Sequence, residues 1–161
     1  MNVTFTMKEN PMKRRKDRLT SVFGLARGGL CFAALLVVAG CCGQNVPENL
    51  ELRITSPVDG ADAKLQSTVT GEVSEPKVQV HVLVHPVTTD QWWVQRPPSA
   101  GQDGKWKTTV FFGTKSHGID EEFEVLAIAT RKCLEAGDTI DVSELPTDGV
   151  RSLIVTVTRR L

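Results

Sequence analysis

From residue 51 onward, apolar and polar positions alternate in short runs. In Lys77–His85, Val78, Val80, Val82 and Val84 fall on one side of an extended segment, and Gln79, His81, Leu83 and His85 on the other. Lys105–Phe112 repeats the pattern with Trp106, Thr108, Val110 and Phe112, and Ser67–Val73 with Val69, Gly71 and Val73. Glu51–Thr55 and Gln91–Gln95 are shorter strand candidates, and Val150–Arg159 places Leu153, Val155 and Val157 on one face. Glu122–Thr130 is nearly continuously apolar from Phe123 to Ala129 and reads as a central strand. Turn-forming residues separate the runs, at Ser56-Pro57-Val58-Asp59-Gly60 and across Arg96–Gly104. Arg131–Pro146 is too long for a tight turn, and one helical turn is expected near Cys133–Ala136. The seven strand candidates predict an all-β fold, an antiparallel β-sandwich, because a single sheet would leave one apolar face in water.

The first forty residues follow another pattern. Lys13-Arg14-Arg15-Lys16-Asp17-Arg18 is a positive segment, Leu30–Val38 an apolar one, and Ala39-Gly40-Cys41 a small-residue site, the order of an export signal. As a helix, Leu30–Gly40 spans about 16 Å, well short of the ~30 Å hydrocarbon core, so a signal helix is expected rather than a membrane-spanning one. Val38-Ala39-Gly40-Cys41 resembles the bacterial lipobox, an aliphatic residue and two small residues before a cysteine. The resemblance implies a diacylglycerol on the thiol of Cys41, cleavage before it and acylation, as with palmitate, of the new amino terminus. Several acyl chains anchor firmly where a single one is marginal. Cys42 competes less well, because Cys41 rather than a small Gly, Ala or Ser precedes it. Met7 and Met12 are alternative starts. The expected organisation is a signal peptide over 1–40, a lipidated polar tether over 41–50 and a β-domain over 51–161.

Charge changes meaning once it is located. The chain has 19 basic and 19 acidic residues and a formal net charge of zero. Residues 1–40 carry seven Lys/Arg against Glu9 and Asp17, for +5, so the remaining twelve basic and seventeen acidic residues sum to −5. The exported part is therefore acidic and a poor partner for nucleic acid. An apolar fraction of 40% excludes a disordered chain. On the lipoprotein resemblance, Cys31 leaves with the signal and Cys41 is lipidated. Cys42 and Cys133 then remain in an oxidising compartment, as a possible disulfide or as two unpaired thiols.

Ile54-Thr55-Ser56-Pro57-Val58-Asp59-Gly60 followed by Val69-Thr70-Gly71-Glu72-Val73 resembles the first two strands of bacterial immunoglobulin-like domains. Asp103-Gly104-Lys105-Trp106 and Val155-Thr156-Val157 also resemble that group. This implies an immunoglobulin-like sandwich over about residues 51–160 and says little about activity.

Candidate chemistry is sparse. His81 and His85 share a strand face but sit about 13 Å apart, beyond the reach of one zinc with ~2 Å bonds, so they read as two partly exposed outer-face residues. Trp92 and Trp93 point to opposite faces, one into the core and the other outward or beneath Arg96-Pro97-Pro98. Trp92 or Trp93 with Arg96 is the candidate binding surface, since an exposed Trp stacks on a sugar or anchors a partner. Asp120, Glu121, Glu122 and Glu124 read as a solvated edge that discourages strand aggregation and lack a calcium-loop spacing. Ser116-His117 is a loop dipeptide, and sequence neighbours rarely form an activating nucleophile–base hydrogen bond. No nucleophile elbow, phosphate loop or dinucleotide fingerprint occurs, so neither an enzyme nor a cofactor is expected. The expected protein is an extracytoplasmic lipoprotein on the cell membrane, or the outer membrane where one exists. It is a non-catalytic binding or structural module of the envelope that meets another protein or a glycan. The alternative is an accessory or catalytic domain acting on envelope polysaccharide.

Overall fold

The structure, a computed structural model, describes residues 44–161. The signal helix, the lipobox, Cys41 and Cys42 lie outside the described residues. In chain order the strands are β1 (Leu52–Ser56), β2 (Ala61–Ala63), β3 (Gln66–Val73), β4 (His81–Pro86), β5 (Gln91–Val94), β6 (Ser99–Ala100), β7 (Lys105–Phe111), β8 (Glu122–Ala129), β9 (Thr139–Asp141), β10 (Val150–Arg151) and β11 (Val155–Arg159). They form two sheets, ordered β1-β3-β7-β6 and β2-β11-β8-β4-β5-β9, with β10 also paired to β8. Every pairing is antiparallel except that of β2 with β11.

The alternating faces meet between the sheets. Val69, Val73, Trp106 and Val110 of the four-stranded sheet pack with Val82, Val84, Phe123, Val125, Ala127 and Val157 of the other. The larger sheet is also covered on its second face. Leu83, Trp92, Val94, Leu126 and Ile128 form a separate core beneath Leu134, Ile140 and Leu145. The unbroken apolar run of β8 follows from this, because Phe123, Val125 and Ala127 serve one core and Leu126 and Ile128 the other.

The covering segment corrects the reading of the histidines. His81 is 4% and His85 9% exposed, so neither lies on a solvated face. Burial pushes the His81 pKa down, favouring the neutral ring. No helical turn forms at Cys133–Ala136. A short 3₁₀ turn instead spans Val142–Glu144, where the Asp141 carboxylate accepts from the Ser143 amide at 2.9 Å. Ser143 holds the Asp141 carboxyl below its usual range.

Three further boundaries differ from expectation. The strand expected from Lys77 begins at His81. Val78 and Val80 are buried, but the preceding backbone turns, with the Val78 amide donating to the Glu75 carbonyl at 3.0 Å. The closing run splits into β10 and β11, and Leu153 is 88% exposed rather than sharing a buried face with Val155 and Val157. Finally, residues 44–50 are a docked strap rather than a tether. Val46 and Leu50 are buried in the main core. The Gln44 side chain donates to the carbonyls of Gln79 at 2.9 Å and Thr130 at 3.0 Å and accepts from the Gln79 amide at 2.6 Å. These hydrogen bonds and the two buried side chains, each contributing about 1.5–3 kcal/mol, together hold the strap to the domain.

Candidate functional site: an aromatic cleft

An apolar cleft of about 330 Å³ opens where the end of β7 meets β4, β5 and the start of β8. Alternation along β5 places its aromatic wall. Trp92 is directed into the second core, so its neighbour Trp93 turns to the opposite side and remains half-buried in the cleft. Phe111, the last residue of β7, also lines the cleft and is 47% exposed. Val84, Pro86 and the buried Phe123 line the remainder.

Polar groups hold these walls in place. Gln95 links the sheets: its side-chain carbonyl accepts from the Phe111 amide at 3.1 Å and its amide donates to the Trp93 carbonyl at 3.2 Å. The loop after β7 is tied down by Arg159, which is only 3% exposed. Nη1 of Arg159 donates to the carbonyls of Phe112 at 3.0 Å, Thr114 at 2.6 Å and His117. Gly113 has a positive φ of 75°, and a Cβ there would lie 2.5 Å from the His117 carbonyl oxygen, so this tight loop needs glycine. The result is a small, partly preformed apolar recess with few polar groups, the usual character of a ligand or side-chain pocket.

The sequence candidates disperse. Trp92 is 2% exposed and stacks on His85 with ring centroids 4.9 Å apart. Trp93 reaches the cleft. Arg96 is exposed on another surface, beside Pro97, Ser99 and Lys107, while its carbonyl accepts from the Thr108 hydroxyl at 2.8 Å. The three residues therefore share no surface. Phe111, Gln95 and Thr114 were not among the candidates, although an aromatic residue at a strand end two positions before a glycine was a visible signal.

The other candidates take structural roles. His85 sits within hydrogen-bond distance of Glu124 through Nδ1 at 2.9 Å and of the Thr89 carbonyl through Nε2 at 2.6 Å, closing the β4–β5 turn. Asp120 pairs with Arg160 at 2.7 Å, which dissolves the expected acidic cluster into separate contacts. Ser116 Oγ does lie 3.0 Å from His117 Nδ1, against expectation for neighbours in sequence. That nitrogen is also 3.3 Å from Thr114 Oγ1, and both residues are exposed, so the pair has the character of a loop contact. Among the described residues, no three His, Cys, Asp or Glu side chains are grouped to hold a metal ion. Cys133 is disulfide-bonded, which overturns the reading of it as an unpaired thiol. Its partner is not among the described residues, so the pairing with Cys42 stays an expectation.

A broader depression of about 660 Å³ on the four-stranded sheet is bordered by Thr55, Thr70, Lys105 and Lys107. Its border is mixed in charge, with Glu72 beside the two lysines, and its aromatic residue, Trp106, is only 2% exposed. No protein-family model matches the sequence, and no curated protein matches it.

Proposed function

We propose that this protein is a lipid-anchored, extracytoplasmic binding module of the bacterial cell envelope, non-catalytic and built as an immunoglobulin-like sandwich. The observation that carries the binding role is the half-open aromatic cleft between Trp93 and Phe111. Buried aromatic anchors dominate contact energies when they fill such recesses, and an exposed recess of this kind receives one from a partner. Val38-Ala39-Gly40-Cys41 supports anchoring through Cys41. The immunoglobulin-like assignment draws on two packed sheets whose opening strands carry the Ile54–Gly60 and Val69–Val73 segments.

Anchoring is tested by replacing Cys41 with Ser and fractionating cells. The variant is expected in the soluble extracytoplasmic fraction, and a full-length, membrane-bound variant overturns the reading. Binding is tested by titrating the protein with envelope glycan fragments and with envelope proteins while following tryptophan fluorescence. A saturable change that disappears in Trp93→Ala and persists in Arg96→Ala is the expected result. Saturation by glycan fragments alone selects the second reading, a polysaccharide-contacting accessory domain, which the aromatic lining favours. No response to either class of ligand leaves the cleft without a binding role.

A further inference from the structure

The two sheets are unequal in width, and the difference leaves a ledge. The smaller sheet ends at β6, whose two residues pair with the start of β7, Ser99 with Lys107 and Ala100 with Trp106. The larger sheet continues past β4 into β5 and β9. Register fixes which side chains share its inner face. Val84, a member of the main core, stands opposite Trp93, Trp93 opposite Thr139, and Gln91 opposite Asp141. Directly opposed residues share a face, as do residues two apart on one strand. Trp93, Gln91, Thr139 and Asp141 therefore carry the core side of the sheet outward from the cleft. They outrun the smaller sheet: Gln91, Thr139 and Asp141 are exposed and Trp93 is half-buried. The row is polar where a continuation of the core would be apolar. Among the described residues, the side chains of Gln91 and Thr139 make no hydrogen bond within the fold. Asp141 commits only Oδ1, which accepts from the amide and hydroxyl of Ser143 at 2.9 and 2.5 Å, so Oδ2 is open. Those bonds keep the carboxyl ionised, and Asp141 is the one charged residue of β5 and β9.

We infer that the cleft and this ledge together bind a neutral saccharide chain, one pyranose ring lying on the Trp93 indole and its hydroxyls bonding Gln91, Thr139 and Asp141. The inference rests on the reading of the Trp93 cleft as a binding site and names the ligand class within it. A pyranose ring has an apolar C–H face and a rim of hydroxyls that each donate and accept. The face suits an indole, and the rim suits an amide, a hydroxyl and a carboxylate set beside it. The spacing fits one ring. Gln91 lies two residues, about 6.6 Å, along β5 from Trp93, and β9 lies one strand spacing, about 4.8 Å, further out. Few polar groups placed beside an apolar recess are what orient a ligand there. Two other ligand classes match less well. An apolar side chain of a protein partner would fill the cleft, but the partner's surface would cover the polar row, and each polar group buried without a partner costs free energy. An acidic saccharide would bring its carboxylates or phosphates against the ionised Asp141, where like charges repel.

The experiment titrates the full-length protein, in a detergent without sugar headgroups, with cellotetraose, N-acetylchitotetraose and tetragalacturonate. Binding is read by calorimetry, so variants lacking the indole remain measurable. Saturable binding of at least one neutral tetrasaccharide is expected, with tetragalacturonate weaker, and the two neutral probes separate a plain hexose chain from an N-acetylhexosamine chain. Trp93→Ala is expected to abolish binding. Gln91→Ala and Thr139→Val, at exposed side chains without partners in the fold, are each expected to weaken it roughly 2- to 10-fold, the scale of one hydrogen bond. Asp141→Asn is expected to narrow the preference for neutral over acidic probe. Binding of tetragalacturonate as tight as that of the neutral probes overturns the inference. So does neutral binding that Trp93→Ala abolishes but Gln91→Ala and Thr139→Val both leave unchanged. A response to solubilised envelope proteins but to no saccharide, lost in Trp93→Ala, also overturns it while leaving the cleft a binding site. Binding of every probe that survives Trp93→Ala, or no response to any of them, removes the cleft reading itself, so the two failures are distinguishable.

Discussion

Gly71 and Trp106 sit opposite each other in the register of β3 and β7, and the indole occupies the space a side chain at residue 71 would need. A Cβ there would lie 2.0 Å from Trp106 Cζ2 and 2.3 Å from the Arg53 carbonyl oxygen. The backbone oxygen cannot swing aside as a flexible side chain would. Gly71→Ala is expected to destabilise by about 1–3 kcal/mol, read as a lower urea midpoint with an altered tryptophan spectrum. An unchanged midpoint would show that both the indole and the β1 backbone at Arg53 can give way. His81 gives a pH signature. Its folded pKa is lowered by burial, so between that value and the unfolded value near 6.5 the unfolded chain binds the extra proton. Its contribution is therefore complete above about pH 6.5 and is lost as pH falls through the folded value. His81→Leu is expected to flatten the stability profile in that window relative to the parent, measured by thermal unfolding across pH. Neither effect was legible in the sequence: Gly71 stood in a valine pattern as one more inward position, and His81 stood on the face that alternation assigned to solvent.

At the scale of elements, the 131–149 segment decides whether the larger sheet has one buried face or two. Ile140 and Leu145 pack over Leu83, Trp92, Leu126 and Ile128, with β9 paired to β5 and the Asp141 cap holding the turn after it. Ile140→Asp places an unpaired carboxylate on this core and is expected to loosen the cover without unfolding the sandwich. Faster hydrogen exchange in β5 and β9, with β3 and β7 unchanged, is the expected pattern. Uniform acceleration would mean the two cores unfold together. The continuous apolar run of β8 was the visible sign of this second core, and it correctly marked a central strand. The origin of the cover was hidden because its apolar residues, Leu134, Ile140 and Leu145, are spaced irregularly within a polar stretch. Leu153 shows the converse: alternation gave it a buried place, but β10 ends at Arg151 and the chain bends out before β11.

For the whole molecule, the strap ties the start of the domain to both its core and the 79/130 edge. A chain starting at residue 51 is expected to be less stable than one starting at residue 43. The loss of two buried apolar side chains amounts to about 3–6 kcal/mol, an upper estimate, checked by paired thermal melts. The strand order β1-β3-β7-β6 against β2-β11-β8-β4-β5-β9 brings residues 84, 93, 111 and 123 to one cleft, although no sequence interval relates them. The sequence by itself determined the all-β class, most strand positions, the central place of β8 and the opposition of Trp92 to Trp93, because each is a matter of period-two alternation within one strand. Tertiary structure alone decided which tryptophan stays accessible, that the outer histidines are buried, and that 44–50 is part of the domain. Those outcomes depend on what packs against a face, and the covering residues come from distant stretches whose own pattern carries no mark of their destination.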